Sequence, residues 1–162
     1  PLPSFIPSSR SSLQTYLPYY TNGQTVILVH NTFIDEEDIL FAKQHAEEYG
    51  LTLYYCLCPN ANLYIEDRLP PVDLLLKHNC SIILGTDSYA SNKELSITSE
   101  IATLAANFPE LSLSHLLQWA TSNSAKAFGG DYLGSFQTGK KPGFVSLATS
   151  GDKITGTSRR IM

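Results

Sequence analysis

The chain has 162 residues, of which 43% are hydrophobic, so it is long enough to bury one ordinary core. Its formal net charge is -4 and its eleven Lys and Arg residues are scattered, which argues against a nucleic-acid-binding protein. No apolar run approaches the roughly 18 residues of a membrane span, and the first residues lack the pattern of a signal peptide, so a cytoplasmic protein is expected.

The first predicted elements are a loop, a short helix and a strand. Residues 1–12 are rich in Pro and Ser and are expected to form a loop. Residues 11–20 then favour a short helix that Pro18 disturbs. After the turn signal Asn22-Gly23, TVILVH (25–30) is a β-branched, apolar run of strand length.

Residues 31–50 predict a helix with one buried face. Asp35 and Asp38 suit its first turn, apolar residues follow at helical spacing, and Gly50 provides a C-terminal stop.

A second and a third strand follow at a regular interval. LTLYYCLC (51–58) predicts a strand closed by Pro59, residues 68–79 predict a helix, and SIILGTD (81–87) predicts another strand. The interval between strand ends is about one βαβ step, roughly 30 residues. Apolar strands that alternate with helices predict an α/β fold with a parallel sheet covered by helices.

The C-terminal part changes in character. Helices are predicted over residues 94–106 and from a cap at Ser112 or Ser114 to about residue 129. Residues 130–162 are rich in Gly, Ser and Thr with short β-type runs, which predicts a small β element. Cys56, Cys58 and Cys80 show neither disulfide nor metal-knuckle spacing, so they are interpreted as reduced and structural.

Polar residues follow each predicted strand. His30 ends the first strand, Asn60 and Asn62 follow the second, and Asp87 ends the third. The carboxyl ends of parallel strands share one edge, where ligands bind. Imidazole nitrogen and carboxylate oxygen are zinc ligands, so a metal site is one interpretation; the other is that His30 and Asp87 are structural caps.

Five stretches occur in the order and spacing of a known enzyme superfamily. They are VILVHNTF (26–33), CLCPNANLYI (56–65), SIILGTDSYASN (81–92) with the helix start ELSITSEI (94–101), LLQWATSNSAKAFG (116–129) and LGSFQTGKKPGFVSL (133–147). Together they resemble the C-terminal half of the amidohydrolase superfamily. The branch is that of cytosine, guanine and adenosine-derivative deaminases and the triazine chlorohydrolases.

The resemblance implies a metal-dependent (β/α)8 TIM barrel. Residues 1–129 would supply its strands six to eight, and residues 130–162 part of a small β-sandwich. Asp87 matches the aspartate after strand eight, which binds the catalytic metal and shuttles a proton from the water on that metal. His30 matches the histidine after strand six, which touches the attacking hydroxide or the substrate. Asn62 lies where the superfamily lines the substrate pocket.

The implied cofactor is one divalent metal, with zinc favoured and iron the alternative. The superfamily's His-x-His pair after strand one and its His-x-x-Glu after strand five have no counterpart in this chain. Those residues would lie upstream of Pro1. The chain is therefore expected to be a fragment that is inactive and binds zinc poorly without the N-terminal half of its barrel.

The implied activity is hydrolytic deamination of an aminated purine, pyrimidine or nucleoside derivative by a metal-bound hydroxide. The alternatives are dechlorination or cyclic-amide hydrolysis by the same hydroxide, and a non-catalytic α/β module that binds a ligand or partner. Because three strands cut from a barrel leave two unpaired sheet edges, the fragment is expected to self-associate into a homo-oligomer or to be held by the N-terminal half of its barrel.

Overall fold

Three parallel strands form the main sheet in the computed structural model, which describes residues 10–130, 132–151, 153–155 and 158–161. The strands are β1 (Thr25–Val29), β2 (Thr52–Leu57) and β3 (Ile82–Leu84), in the order β1-β2-β3. Both pairings are parallel, as predicted. The third strand is shorter than expected, because regular pairing ends at Leu84. Most of the loop predicted for residues 1–12 lies outside the described residues.

Seven helices are present in the described ranges. They are α1 (Ser12–Tyr16), α2 (Glu36–Tyr49), α3 (Pro59–Glu66), α4 (Val72–Lys77), α5 (Ile97–Asn107), α6 (Leu113–Gln118) and α7 (Ser124–Ala127). A 3-10 turn (Leu17–Tyr19) extends α1, and a π-helical segment (Trp119–Asn123) joins α6 to α7. None of the helices described is both long and apolar enough to cross a membrane.

The ends of α2 are those that the sequence predicted. The Asp35 carboxylate accepts from the Asp38 N–H (2.9 Å) and the Asp38 carboxylate accepts from the Asp35 N–H (3.3 Å), which completes a capping box. At the other end Gly50 adopts a left-handed conformation with φ of 66°. Because α2 follows His30 closely along the chain, these caps fix the path of the chain after β1.

Helix α3 was not predicted. The sequence predicts that Pro59 closes a strand, whereas in the structure Pro59 occupies the first turn of α3, where its missing N–H costs nothing. Asn62 therefore lies on this helix.

The two faces of the sheet differ in their cover. Tyr55, Leu57 and Ile82 face the helices and belong to the larger apolar core. On the other face Cys56, Cys58 and Ile83 form a smaller cluster with Ala61 and Ala127. Strand residues alternate between faces, which explains why successive residues of β2 belong to different clusters.

The C-terminal segment forms short antiparallel pairs, which agrees with the β content predicted for it. Strands β4 (Val145–Ser146) and β7 (Arg159–Arg160) pair, as do β5 (Thr149–Ser150) and β6 (Lys153–Ile154). Ile154 packs against the larger core. Residues 131, 152, 156, 157 and 162 lie outside the described part of this predicted element.

Candidate functional site

His30 follows β1 directly. Its N–H donates to the Cys56 carbonyl (3.0 Å), which extends the parallel ladder by one bond. Its φ of 66° and that of Asn31 (55°) are left-handed, a conformation that is costly for residues other than Gly. The turn leaves the imidazole at the carboxyl end of the sheet with one-third of its side chain exposed.

Asp87 occupies the equivalent place after β3. The Gly85 N–H donates to the Leu57 carbonyl (2.9 Å), and the chain then leaves the sheet. Asp87 also has a positive φ (57°), and its carboxylate accepts a short hydrogen bond from the Ser91 hydroxyl. One-third of the Asp87 side chain is exposed, so the carboxylate is held by the protein yet reachable.

The structure brings His30 and Asp87 together. His30 Nε2 lies 3.8 Å from Asp87 Oδ2, which is close enough for a charge interaction but longer than a hydrogen bond. A base and a ring nitrogen at this separation can engage the same water or substrate atom.

Asn62 lies beneath His30 and is almost fully buried (1% exposed). Its Nδ2 donates to Thr32 Oγ1 (2.6 Å) and lies 3.4 Å from both His30 Nδ1 and a carboxylate oxygen of Glu66. Asn62 Nδ2 therefore lies on the Nδ1 side of the His30 ring, and Nε2 is the ring nitrogen that faces Asp87. Asn62 Oδ1 is buried with no hydrogen-bond partner among the described residues.

Gly85 allows a close approach between β3 and two thiols of β2. A Cβ at this position would lie 2.9 Å from Cys56 Sγ and 3.3 Å from Cys58 Sγ. The interaction with Cys56, followed by burial, raises the pKa of the Cys58 thiol. Cys58 is therefore protonated at neutral pH, which agrees with its interpretation as a reduced structural residue.

The sequence analysis missed Glu100, which is fully buried (0% exposed) in α5. Its carboxylate accepts from the Asn60 N–H (2.8 Å) and from Asn92 Nδ2 (2.7 Å). Burial raises the pKa of Glu100, and these hydrogen bonds offset part of that rise. The sequence does hold one indication that Glu100 is buried, because Glu100 falls on the same face of the predicted helix as the apolar Ile97, Ile101 and Leu104.

The donor set fits a divalent metal only in part. A catalytic zinc takes three or more protein ligands, typically His nitrogen and carboxylate oxygen. Within the described residues, no three His, Cys, Asp or Glu side chains are placed to hold a metal ion. Asp87 offers a carboxylate oxygen and His30 a ring nitrogen, so the described residues supply at most two of the ligands that a catalytic zinc needs.

Comparison with known proteins gives a consistent result. The sequence profile described as "Amidohydrolase family" matches residues 10–159. A 5-methylthioadenosine/S-adenosylhomocysteine deaminase from Saccharophagus degradans is 32% identical over 133 residues, covering 77% of this chain and 28% of that protein. The chain thus spans little more than a quarter of the length of this curated relative.

Solved structures agree in fold. An adenosine deaminase from Xanthomonas campestris with bound zinc is 30% identical, with a TM-score of 0.60 over 75% of this chain and 28% of that one. A zinc complex of the atrazine chlorohydrolase from Arthrobacter aurescens is 27% identical, with a TM-score of 0.55 over 71% of this chain and 26% of that one. The α/β fold of this chain is therefore shared with a zinc-bound adenosine deaminase and with a zinc complex of an atrazine chlorohydrolase.

Proposed function

The chain belongs to the amidohydrolase family, and we propose that it is the C-terminal part of a metal-dependent hydrolase that deaminates an aminated heterocycle. The observation that carries the proposal is the convergence of His30 and Asp87, 3.8 Å apart, at the carboxyl ends of two strands of one parallel sheet. In the proposal the activity belongs to a longer protein, because this chain covers only 28% of the length of the deaminase it matches.

We assign β1, β2 and β3 to strands six, seven and eight of a (β/α)8 barrel. The smaller apolar cluster supports this assignment, because Cys56, Cys58 and Ile83 lie on the sheet face that would line a barrel interior. Val29 at the end of β1 is half exposed in this chain. In the proposal residues 1–129 belong to the barrel, and residues 130–162 contribute to a small β-sandwich.

The outer edges of β1 and β3 have consequences for assembly. Neither strand has a second neighbour in the sheet described. Unpaired edges of this kind invite pairing with another chain. We infer that the N-terminal half of the barrel covers them in the full-length protein. The homo-oligomeric state and the cytoplasmic location remain predictions from the sequence.

Asp87 is the metal ligand of this chain in the proposal, and the other ligands come from the N-terminal half. Zinc supplies Lewis acidity when bound and lowers the pKa of water to about 7. Asp87 accepts the proton of the attacking water on its carboxylate, which the Ser91 hydroxyl holds in place.

His30 and Asn62 act together in the proposal, with His30 contacting the attacking water or the substrate. In the proposal the Asn62 amide donates to His30 Nδ1, so that His30 Nε2 carries the ring proton and donates to the water or to the substrate. The buried Asn62 can hold the ring in this orientation, but its own Oδ1 is also buried and would have to become accessible before it could contact a substrate. The substrate-binding role of Asn62 is thus a prediction.

The substrate class follows from the relatives. A methylthioadenosine/S-adenosylhomocysteine deaminase is the relative with 32% identity, and an adenosine deaminase is the structure with 30% identity. We therefore favour an adenosine derivative as the substrate. Dechlorination of a triazine is the second candidate, favoured by the 27% identity to the atrazine chlorohydrolase.

An assay of product release on the full-length protein tests the proposal. We expect ammonia from adenosine, methylthioadenosine or S-adenosylhomocysteine, and no chloride from atrazine. Chelation should abolish ammonia release and added zinc should restore it, because the metal generates the nucleophile. Chloride release without ammonia would favour the second candidate. A zinc-loaded protein that released neither product would contradict the proposal.

A further inference from the structure

Glu100 is a buried carboxylate that the proposed chemistry does not use. It lies on the buried face of α5 with none of its surface exposed. A buried charge is costly unless hydrogen bonds compensate it, so its partners show what the residue does.

Both oxygens of Glu100 accept hydrogen bonds, and the two donors belong to different segments of the chain. Oε2 accepts from the Asn60 N–H (2.8 Å) at the start of α3. Oε1 accepts from Asn92 Nδ2 (2.7 Å) in the segment between β3 and α5. One carboxylate therefore connects the chain that follows β2 to the chain that follows β3.

The Asn92 arm reaches the backbone at Asp87. Asn92 Nδ2 also donates to the Thr86 carbonyl (2.8 Å), which belongs to the peptide bond just before Asp87. Asp87 itself has a left-handed φ of 57°, a conformation that surrounding contacts must maintain. Glu100 orients the Asn92 amide, and that amide holds the peptide that aims the Asp87 side chain.

The Asn60 arm reaches His30. Asn60 lies in the first turn of α3, the helix that carries Asn62, and its side chain also donates to Ser99 Oγ of α5 (3.2 Å). Asn62 in turn contacts His30 Nδ1. The two arms together set the position of Asp87 relative to His30.

We propose that Glu100 is a positioning residue that holds Asp87 and His30 in register by bridging the segment that contains Asn92 and the first turn of α3 at Asn60. The inference rests on the proposed function, because positioning is useful only if these two residues act on one substrate. Glu100 touches neither of them directly, so its effect passes through Asn92 and Asn60.

The variant Glu100→Gln tests the bridge in the full-length protein without changing the size of the side chain. The Gln amide nitrogen cannot accept a hydrogen bond, yet it would face either the Asn60 N–H or Asn92 Nδ2. The variant would therefore lose the Asn60 contact, or Asn92 would turn away from the Thr86 carbonyl. We expect kcat to fall about 10- to 100-fold with little change in KM, as for residues that orient catalytic groups. Asn92→Ala should have a similar effect, and the double variant should be no worse than the more impaired single variant.

Glu110→Gln is the matched control, because Glu110 is exposed just after α5 and should leave kcat unchanged. Hydrogen exchange of the substrate-free protein gives a readout independent of activity. In Glu100→Gln, peptides that cover residues 59–62 and 86–92 should exchange faster, while α2 should not.

The outcomes separate the two claims. Unchanged exchange in both segments, 59–62 and 86–92, or a kcat within about twofold of the wild type, would overturn the positioning role. Losses that multiplied in the double variant would do the same, since independent residues behave additively. Faster exchange in Glu100→Gln, together with a wild-type protein that released no ammonia, would instead contradict the proposed function alone.

Discussion

Asp87→Asn in the full-length protein should abolish turnover, with a loss of at least about 100-fold and up to about 10,000-fold in kcat. An amide cannot accept the proton of the attacking water, and as a neutral ligand it holds a divalent metal less strongly than a carboxylate. The Ser91 hydroxyl that now donates to Asp87 can still donate to the amide oxygen, so the loop should keep its fold. The measurement is kcat together with the metal content of the purified variant.

Two companion variants sharpen this result. Asp73→Asn removes an exposed carboxylate of α4 and should leave both turnover and metal content unchanged. His30→Gln should lose turnover but keep its metal, because His30 acts through the proton on Nε2 and not as a ligand. Full activity in Asp87→Asn would remove this residue from the chemistry, and loss of metal in His30→Gln would reassign His30 as a ligand.

Gly85→Ala should destabilise the protein by about 1–3 kcal/mol, the usual cost of overfilling a packed interior. The new methyl group would lie 2.9 Å from Cys56 Sγ and 3.3 Å from Cys58 Sγ, and both thiols are buried. Because Gly85 lies two residues before Asp87, the displaced backbone should also lower kcat. The measurement is the thermal melting temperature of the full-length protein.

A second substitution tests the cause of that loss. Cys56→Ala removes the sulfur nearest to the added methyl group, so the pair Gly85→Ala with Cys56→Ala should melt at a higher temperature than Gly85→Ala alone. Cys80→Ala is the control, because Cys80 does not contact this position and should not rescue it. Rescue by Cys80→Ala, or no rescue by Cys56→Ala, would show that the clash is not the cause.

Local patterns in the sequence predicted the framework of the fold. The apolar runs that became β1 and β2, and the caps Asp35 and Gly50 of α2, depend on neighbours along the chain. Helix α3 was missed because a Pro such as Pro59 is compatible both with the end of a strand and with the first turn of a helix, and the sequence alone does not separate these roles. Polar residues at strand ends predicted that His30 and Asp87 would meet, because parallel topology brings such ends together.

The supporting contacts of the site were beyond local patterns. Glu100 reaches Asn60 across 40 residues, and Asn62 reaches Thr32 across 30 residues. Such contacts depend on how helices pack on the sheet, which no short stretch encodes. The catalytic and binding roles of Asp87, His30 and Asn62 remain predictions.

The division of the site between two parts of one protein is the central claim, and metal analysis with an ammonia-release assay tests it most directly. The full-length protein and residues 1–162 alone would be purified and assayed in parallel on the same adenosine derivatives. The account predicts stoichiometric zinc and turnover in the full-length protein and neither in residues 1–162, because this chain supplies one metal ligand where three or more are needed. Stoichiometric zinc with turnover in residues 1–162 would contradict it.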